Sequence, residues 1–316
     1  MSYDRPTSSP PAERARAMRA FTADRTFLYQ ASLSPADKVV IAYLAIIAAL
    51  VAISYQRIDF WWAFVLAHAS CIALVSAVAR RAHSWPGERA WRFIRGWYPV
   101  ALVPATFKEL AVLVPLIHPR DFDWELARID YWMFGVHPTV WLERWTRPAL
   151  TELLQISYST YYFLPLILGA VLWRKGWLER FHFFVFVAVL SFYLSYLGYI
   201  AVPAIGPRFI LAGEQSFPLR GVFLFSLIRE TLDRAEGIMR DCFPSGHTAL
   251  TLLVLYYAAK YHRLTFWLML PAGTALIIST VYLRYHYVID VIAGVLLAAL
   301  VVLIANPLYR LLRGGS

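Results

Sequence analysis

Eight almost uninterrupted apolar stretches, at about 39–55, 60–79, 97–117, 153–173, 181–202, 244–260, 265–284 and 287–308, run along this 316-residue chain. Each is near the roughly 20 residues that carry a helix across a hydrocarbon core. A helix is also the only open-ended structure that satisfies its own backbone groups there. The pattern predicts an all-α fold, a polytopic membrane bundle of about eight spans. Two long connections interrupt it. Residues 118–152 mix Trp124, Trp132, Trp141 and Trp145 with alternating charges, as a segment lying in the headgroup layer would read. Residues 203–243 carry Pro203, Gly206, Pro207, Pro218 and many charges, and read as a polar loop on the same side. Residues 1–37 combine Ser, Pro and Ala with Arg14, Arg16 and Arg19 and contain no apolar core long enough for a signal peptide. A disordered cytoplasmic tail is expected there, and no internal repeat is found.

Composition agrees with lipid as the solvent: 59% of residues are hydrophobic, 16% are charged, and mean hydropathy is +0.53. A net charge of +10 raises nucleic acid as a partner. The arginines, however, sit in the gaps between apolar runs and form no basic face interleaved with aromatics, so the partner is the bilayer and not nucleic acid. Charges in such gaps set orientation. With eight spans, the tails, the 80–96 and 174–180 loops and the 260–264 turn share one face. That face holds most of the 30 Lys and Arg and under a third of the 20 Asp and Glu. It is therefore expected to be cytoplasmic, with both long connections extracytoplasmic. Cys71, inside an apolar run, and Cys242, in a loop, fit no disulfide or metal framework.

Three motifs carry chemistry. In Pro244-Ser245-Gly246-His247, at the outer end of the sixth span, Pro suits a first helical turn and Gly lets a ligand approach the backbone. Free amides at a helix start attract anions, and His247, one turn in, is positioned to hand a proton to a departing oxygen. Taken alone, the tetrapeptide reads equally as a helix cap with a histidine facing water. In Arg284-Tyr285-His286, with Asp290 four residues on, the carboxylate shares a helical face with the histidine. Asp290 can hold one ring nitrogen of His286 and leave the other as a nucleophile. An interfacial pair serving packing is the alternative. In Gly206-Pro207-Arg208, the arginine fork matches phosphate oxygens, although singly it also reads as an interfacial anchor.

Topology joins the three. The fifth span ends near Arg208, the sixth starts near His247, the seventh ends at Arg284 and the eighth begins near His286, all at one membrane face. Two histidines, two arginines, a carboxylate and a helix N-terminus at one depth describe a metal-free phosphoryl-transfer site that needs no cofactor.

The pattern resembles the superfamily of type 2 phosphatidic acid phosphatases over about residues 97–308. The resemblance implies a six-helix core and a phosphohistidine mechanism. His286 would attack phosphorus, Asp290 would support it, and His247 would protonate the leaving oxygen. Arg208 and the backbone at Ser245 and Gly246 would cradle the phosphate of a lipid. The implied layout is a tail over 1–37, two additional helices over 38–96, a catalytic membrane domain over 97–309 and a cytoplasmic tail over 310–316. The chain departs from the phosphatase pattern at Ala201 and Phe209, where that family carries lysine and proline, and at Thr280, where it carries arginine. Arg284, one turn from Thr280 on the same helical face, is expected to bind phosphate in its stead. The run from Tyr282 to Val291 is similar to the branch of inositol phosphorylceramide and sphingomyelin synthases, and Asp130, Gly135 and Pro138 resemble it less specifically. That branch passes a phosphorylated head group to an alcohol. Hydrolysis ranks first because water is always available, with transfer close behind. A non-catalytic lipid phosphate transporter is the alternative from another class, without the repeats many transporters show.

Lys108 and Glu109 lie well inside the third span and point in different directions, so each needs its own partner. Either one faces a head-group cavity, or both form structural ion pairs. Tyr158, Tyr161, Tyr162, Tyr193, Tyr196 and Tyr199 read as packing and interfacial anchors, and His68 as a satisfied core histidine.

Overall fold

The computed structural model describes residues 33–84 and 89–314, and among these every regular element is helical. The chain runs through α1 (Pro35–Ile53), α2 (Trp61–Ser84), α3 (Arg89–Trp97) and α4 (Pro99–Ile117). Next come α5 (Asp123–Phe134), α6 (Pro138–Trp141), α7 (Pro148–Ser159), α8 (Phe163–Arg174) and α9 (Leu178–Ala201). It closes with α10 (Pro207–Ile210), α11 (Phe225–Glu236), α12 (Gly246–Tyr261), α13 (Arg263–Tyr282) and α14 (Val288–Arg313). Seven helical stretches among the described residues are long and apolar enough to cross a membrane, with α3–α4 and α7–α8 each counted as one. The expected sixth span forms as α12, only 16 residues long and packed against α9, α13 and α14. The all-α, multi-pass bundle read from the sequence is therefore the fold. The expectation of a disordered tail concerns residues that, up to 32, lie outside the described ones.

Local chemistry starts the bundle. Ser34 Oγ accepts the Asp37 N–H at 3.2 Å, while Asp37 Oδ2 accepts the Ser34 N–H at 2.7 Å, a reciprocal cap with Pro35 in the first turn. The same carboxylate, 1% exposed, takes bonds from Arg95 and the Tyr98 hydroxyl, which pins α1 to the α3–α4 junction. α9 is the central post. One side of it (Phe181, Phe184, Val187) packs with Leu250, Val254 and Tyr257 of α12 and Val301 and Ala305 of α14. The other (Tyr193, Tyr196) packs with Val40, Leu44 and Ile47 of α1 and Leu110 and Leu113 of α4. The first two helices thus share a core with the rest.

Between 118 and 152 the chain forms the short helices α5 and α6, with Trp124 and Trp132 64% and 83% exposed. The 203–243 connection, read as a polar loop, contains the helix α11. Where α12 meets α14, Gly294 is indispensable. A Cβ there would lie 2.5 Å from the Ser245 carbonyl oxygen, so only glycine lets the start of α14 approach the start of α12.

Candidate active site

α13 stops at Tyr282, and the turn after it aims the histidine. Arg284 adopts φ +66°, and the N–H groups of Tyr285 and His286 both donate to the Thr280 carbonyl, at 3.0 and 2.9 Å. Arg284 therefore lies beyond the helix and does not share a helical face with Thr280, which corrects the reading from spacing. Likewise His286 precedes α14, so its meeting with Asp290 comes from a cap rather than a helical face. Asp290, in the first turn of α14, accepts the Tyr287 N–H at 2.8 Å and the Cys242 S–H at 2.9 Å through Oδ2. That oxygen is 3.4 Å from His286 Nδ1. His286 Nδ1 is also 2.8 Å from the Cys242 carbonyl oxygen. A carbonyl can only accept, so Nδ1 carries the proton and Nε2 holds a free lone pair.

That lone pair faces His247 Nδ1 at 3.5 Å. The separation leaves no room for phosphorus between the two nitrogens, so a bound phosphoryl group has to part the rings. The His247 ring lies 4.6 Å from the Tyr158 ring and 4.1 Å from that of Tyr161, centroid to centroid. These tyrosines, read as packing and anchors, pack directly against the ring of His247. His247 Nε2 is buried with no hydrogen-bond partner.

Two aspartates of α5 build the frame. Asp130 accepts the first two N–H groups of α14, from Val288 and Ile289, both at 2.8 Å. Asp123 accepts the N–H groups of Ile205 and Gly206 at 2.9 and 2.8 Å and the Tyr287 hydroxyl at 3.0 Å. Gly206, at φ +94°, sits where a Cβ would meet the Tyr285 carbonyl at 2.8 Å. This close approach lets the Arg208 N–H donate to the Arg284 carbonyl at 3.0 Å. The Gly206-Pro207-Arg208 and Arg284-Tyr285-His286 motifs are thus stitched together.

The expected phosphate cradle is partly occupied. The Ser245 N–H donates to the Asp290 carbonyl at 3.0 Å, and its hydroxyl caps α12 by accepting the Thr248 N–H. The Tyr199 hydroxyl lies against Gly246, 2.5 Å from where a Cβ would stand. Helix packing has consumed the Ser245 donor. Arg208 makes a two-pronged pair with Asp233 at 3.0 and 2.8 Å. Arg284, 4% exposed, holds Glu143 at 2.7 Å, Gln215 at 2.8 Å and the Phe217 carbonyl at 3.0 Å. Glu109 pairs with His68 at 3.1 Å, away from the site, and His68 Nδ1 has no partner. Lys108 is exposed and lines neither cavity beside the histidines.

Those two cavities meet at His247 and His286. An apolar one of about 330 Å³ runs from Trp97 and Phe181 to His247. A polar one of about 400 Å³ holds Arg208, Asp233, Tyr285 and His286. Asp241 lines both. Burial pushes its carboxyl up to about 6, against the pull of nearby His286. Sequence reasoning missed this aspartate, although a charge six residues before His247 was a visible signal. Burial, then the Asp290 carboxylate, push the Cys242 thiol well up, so it stays an S–H donor. Cys242, His286 and Asp290 are the one group among the described residues whose donor atoms lie close enough to hold a metal ion. Such an ion would take Nδ1 of the histidine.

The profile of the PAP2 superfamily matches residues 124–304, more than half of the chain. A PA-phosphatase related-family protein of Dictyostelium discoideum is 27% identical over 164 residues, covering 46% of this chain and 30% of that protein. The chain thus spans under a third of that relative. No solved structure matches.

Proposed function

The chain belongs to the PAP2 superfamily, and from that premise we propose that it is a lipid phosphate phosphatase working through a phosphohistidine at the extracytoplasmic face. One observation carries the reading: the Cys242 carbonyl holds the proton of His286 on Nδ1, which leaves the Nε2 lone pair for attack. In the first step, Nε2 forms a bond to phosphorus as the bond to the ester oxygen breaks, and His247 gives that oxygen a proton. In the second, water attacks phosphorus, its proton passes to His247, and the phosphorus–nitrogen bond breaks. Asp290 stabilises the charge on His286 throughout. Arg208 exchanges Asp233 for a phosphate oxygen. Arg284 reaches the phosphate only by releasing Glu143, and Ser245 and Gly246 shape the start of α12.

A second reading, transfer to an alcohol in place of water, is favoured by the two cavities that share Asp241 beside the histidines. They offer separate room for a lipid and a polar partner. Product analysis with and without added alcohols separates the two readings.

His286→Ala should abolish turnover of lipid phosphates while the protein stays folded. Brief incubation with labelled substrate should leave acid-labile, base-stable label on wild type and none on the variant. Turnover by His286→Ala would sink the mechanism, and wild-type binding without label or turnover would favour a transporter. Activity should persist in chelator, since both steps run through His286 and His247.

A further inference from the structure

Lys108 stands mid-way along α4, nine residues from either end of Pro99–Ile117. It is exposed, and among the described residues no acid pairs with it. A basic residue within a membrane-spanning helix is costly, and residues retained there serve function by default. Its position, its depth and the charges around it say what it meets.

On the helix, Val100, Val103, Pro104 and Phe107 of α4 face the apolar cavity. Helical periodicity puts Lys108 one turn outward from Pro104, on the border between the cavity wall and the lipid-facing side. Ala101 and Ala105 beside it are exposed and small, which leaves space around the ammonium.

Its depth is fixed by aromatic contacts. The Phe107 ring lies 5.4 Å from that of Tyr196 and 6.5 Å from that of Tyr199. Tyr199 in turn touches Gly246, the residue before His247. Lys108 is therefore level with the end of the cavity where His247 and Asp241 stand.

Charge completes the picture. The apolar cavity has no Lys or Arg in its lining, and Arg208 and Arg284 both hold carboxylates. Neither cavity is lined by a Lys or Arg free of a carboxylate.

We infer that Lys108 is the capture residue for anionic phospholipid head groups at the lateral mouth of the apolar cavity. It recruits and does not react: its ammonium holds the phosphate at the rim while the acyl chains enter the cavity, and hands it inward to the histidines. The inference rests on the lipid phosphate reading for the steps after capture, but binding needs no turnover.

The test uses full-length protein in nanodiscs. In a His286→Ala background, which prevents turnover, Lys108→Gln should weaken binding of a fluorescent phosphatidic acid about tenfold, the loss of one charge-assisted contact. Binding of the matching phosphatidylcholine and of inorganic phosphate should not change, and Lys108→Arg should bind like Lys. With His286 intact, Lys108→Gln should raise KM for bilayer-embedded phosphatidic acid without changing kcat, and leave hydrolysis of water-soluble p-nitrophenyl phosphate untouched. Unchanged phosphatidic acid binding, or equal loss for both lipids, overturns the inference. So does a change in oligomeric mass with lipid binding intact, which would assign Lys108 to an acidic partner helix. If wild type hydrolyses neither substrate yet Lys108→Gln still weakens only anionic lipid binding, the catalytic reading falls and the capture site stands.

Discussion

Arg284 does two things at once, and they can be separated. Its φ of +66° suits glycine, and its guanidinium holds Glu143, Gln215 and Phe217. Arg284→Gly keeps the turn that aims His286 and loses the ion pair, whereas Arg284→Ala loses both and strains the turn by about 1 kcal/mol or more. If the residue acts by shaping the turn, the Gly variant should retain several-fold more kcat than the Ala variant. Equal losses, each with a matching rise in KM, would instead make it a phosphate ligand. Asp130 offers a test by pH. Burial raises its carboxyl from 3.8 to about 6, although the Val288 and Ile289 N–H groups pull the other way. The folded protein therefore holds that proton more tightly than the unfolded chain, so the stability it contributes is present at low pH and lost as pH rises from about 4 to about 6. Asp130→Asn should flatten that fall in a series of melting temperatures in detergent. Identical slopes for both proteins would clear Asp130 of the effect.

Among the elements, α11 behaves as a cover on the polar cavity. The Glu152 carboxylate gathers the N–H groups of Val222, Phe223, Leu224 and Phe225 and so anchors the start of α11. From the far end of that helix Asp233 grips Arg208 in the geometry a phosphate would use. A carboxylate in that place competes with substrate. Asp233→Asn should free the guanidinium and lower the inhibition constant of inorganic phosphate by about tenfold, one charge-assisted contact. An unchanged or higher constant in competition assays would remove Arg208 from the phosphate site. Helix α5 plays the complementary part, because Asp123 holds the segment that carries Gly206-Pro207-Arg208 and Asp130 the one that follows Arg284-Tyr285-His286.

At the scale of the whole molecule, orientation is the property to test. Charge asymmetry assigns the 174–180 loop to the cytoplasm and the 203–243 connection to the outside. Phe223 is 89% exposed and Lys175 is exposed, which makes them suitable reporters. In a background lacking Cys71 and Cys242, cysteine at 223 should react with an impermeant maleimide in intact cells, and cysteine at 175 only after lysis. The reverse pattern would put the histidines on the cytoplasmic side.

The sequence by itself determined the class of fold and the identity of the central pair. Apolar runs of spanning length have one solution in lipid, and ionisable residues at the ends of four such runs gather at one face whatever the packing. That is why His247, His286 and Asp290 were legible. Tertiary structure decided what each group is free to do. Whether the amide of Ser245 is open depends on how closely α14 approaches, which Gly294 sets. Whether Arg208 and Arg284 are available depends on Asp233 and Glu143, 25 and 141 residues away in the chain. Tyr158 and Tyr161 flank His247 because α7 and the turn after it fold across the start of α12. Periodicity reports which face of an element is apolar. It carries no information about which distant residue satisfies a polar group, and in a low-dielectric interior that partner decides the chemistry.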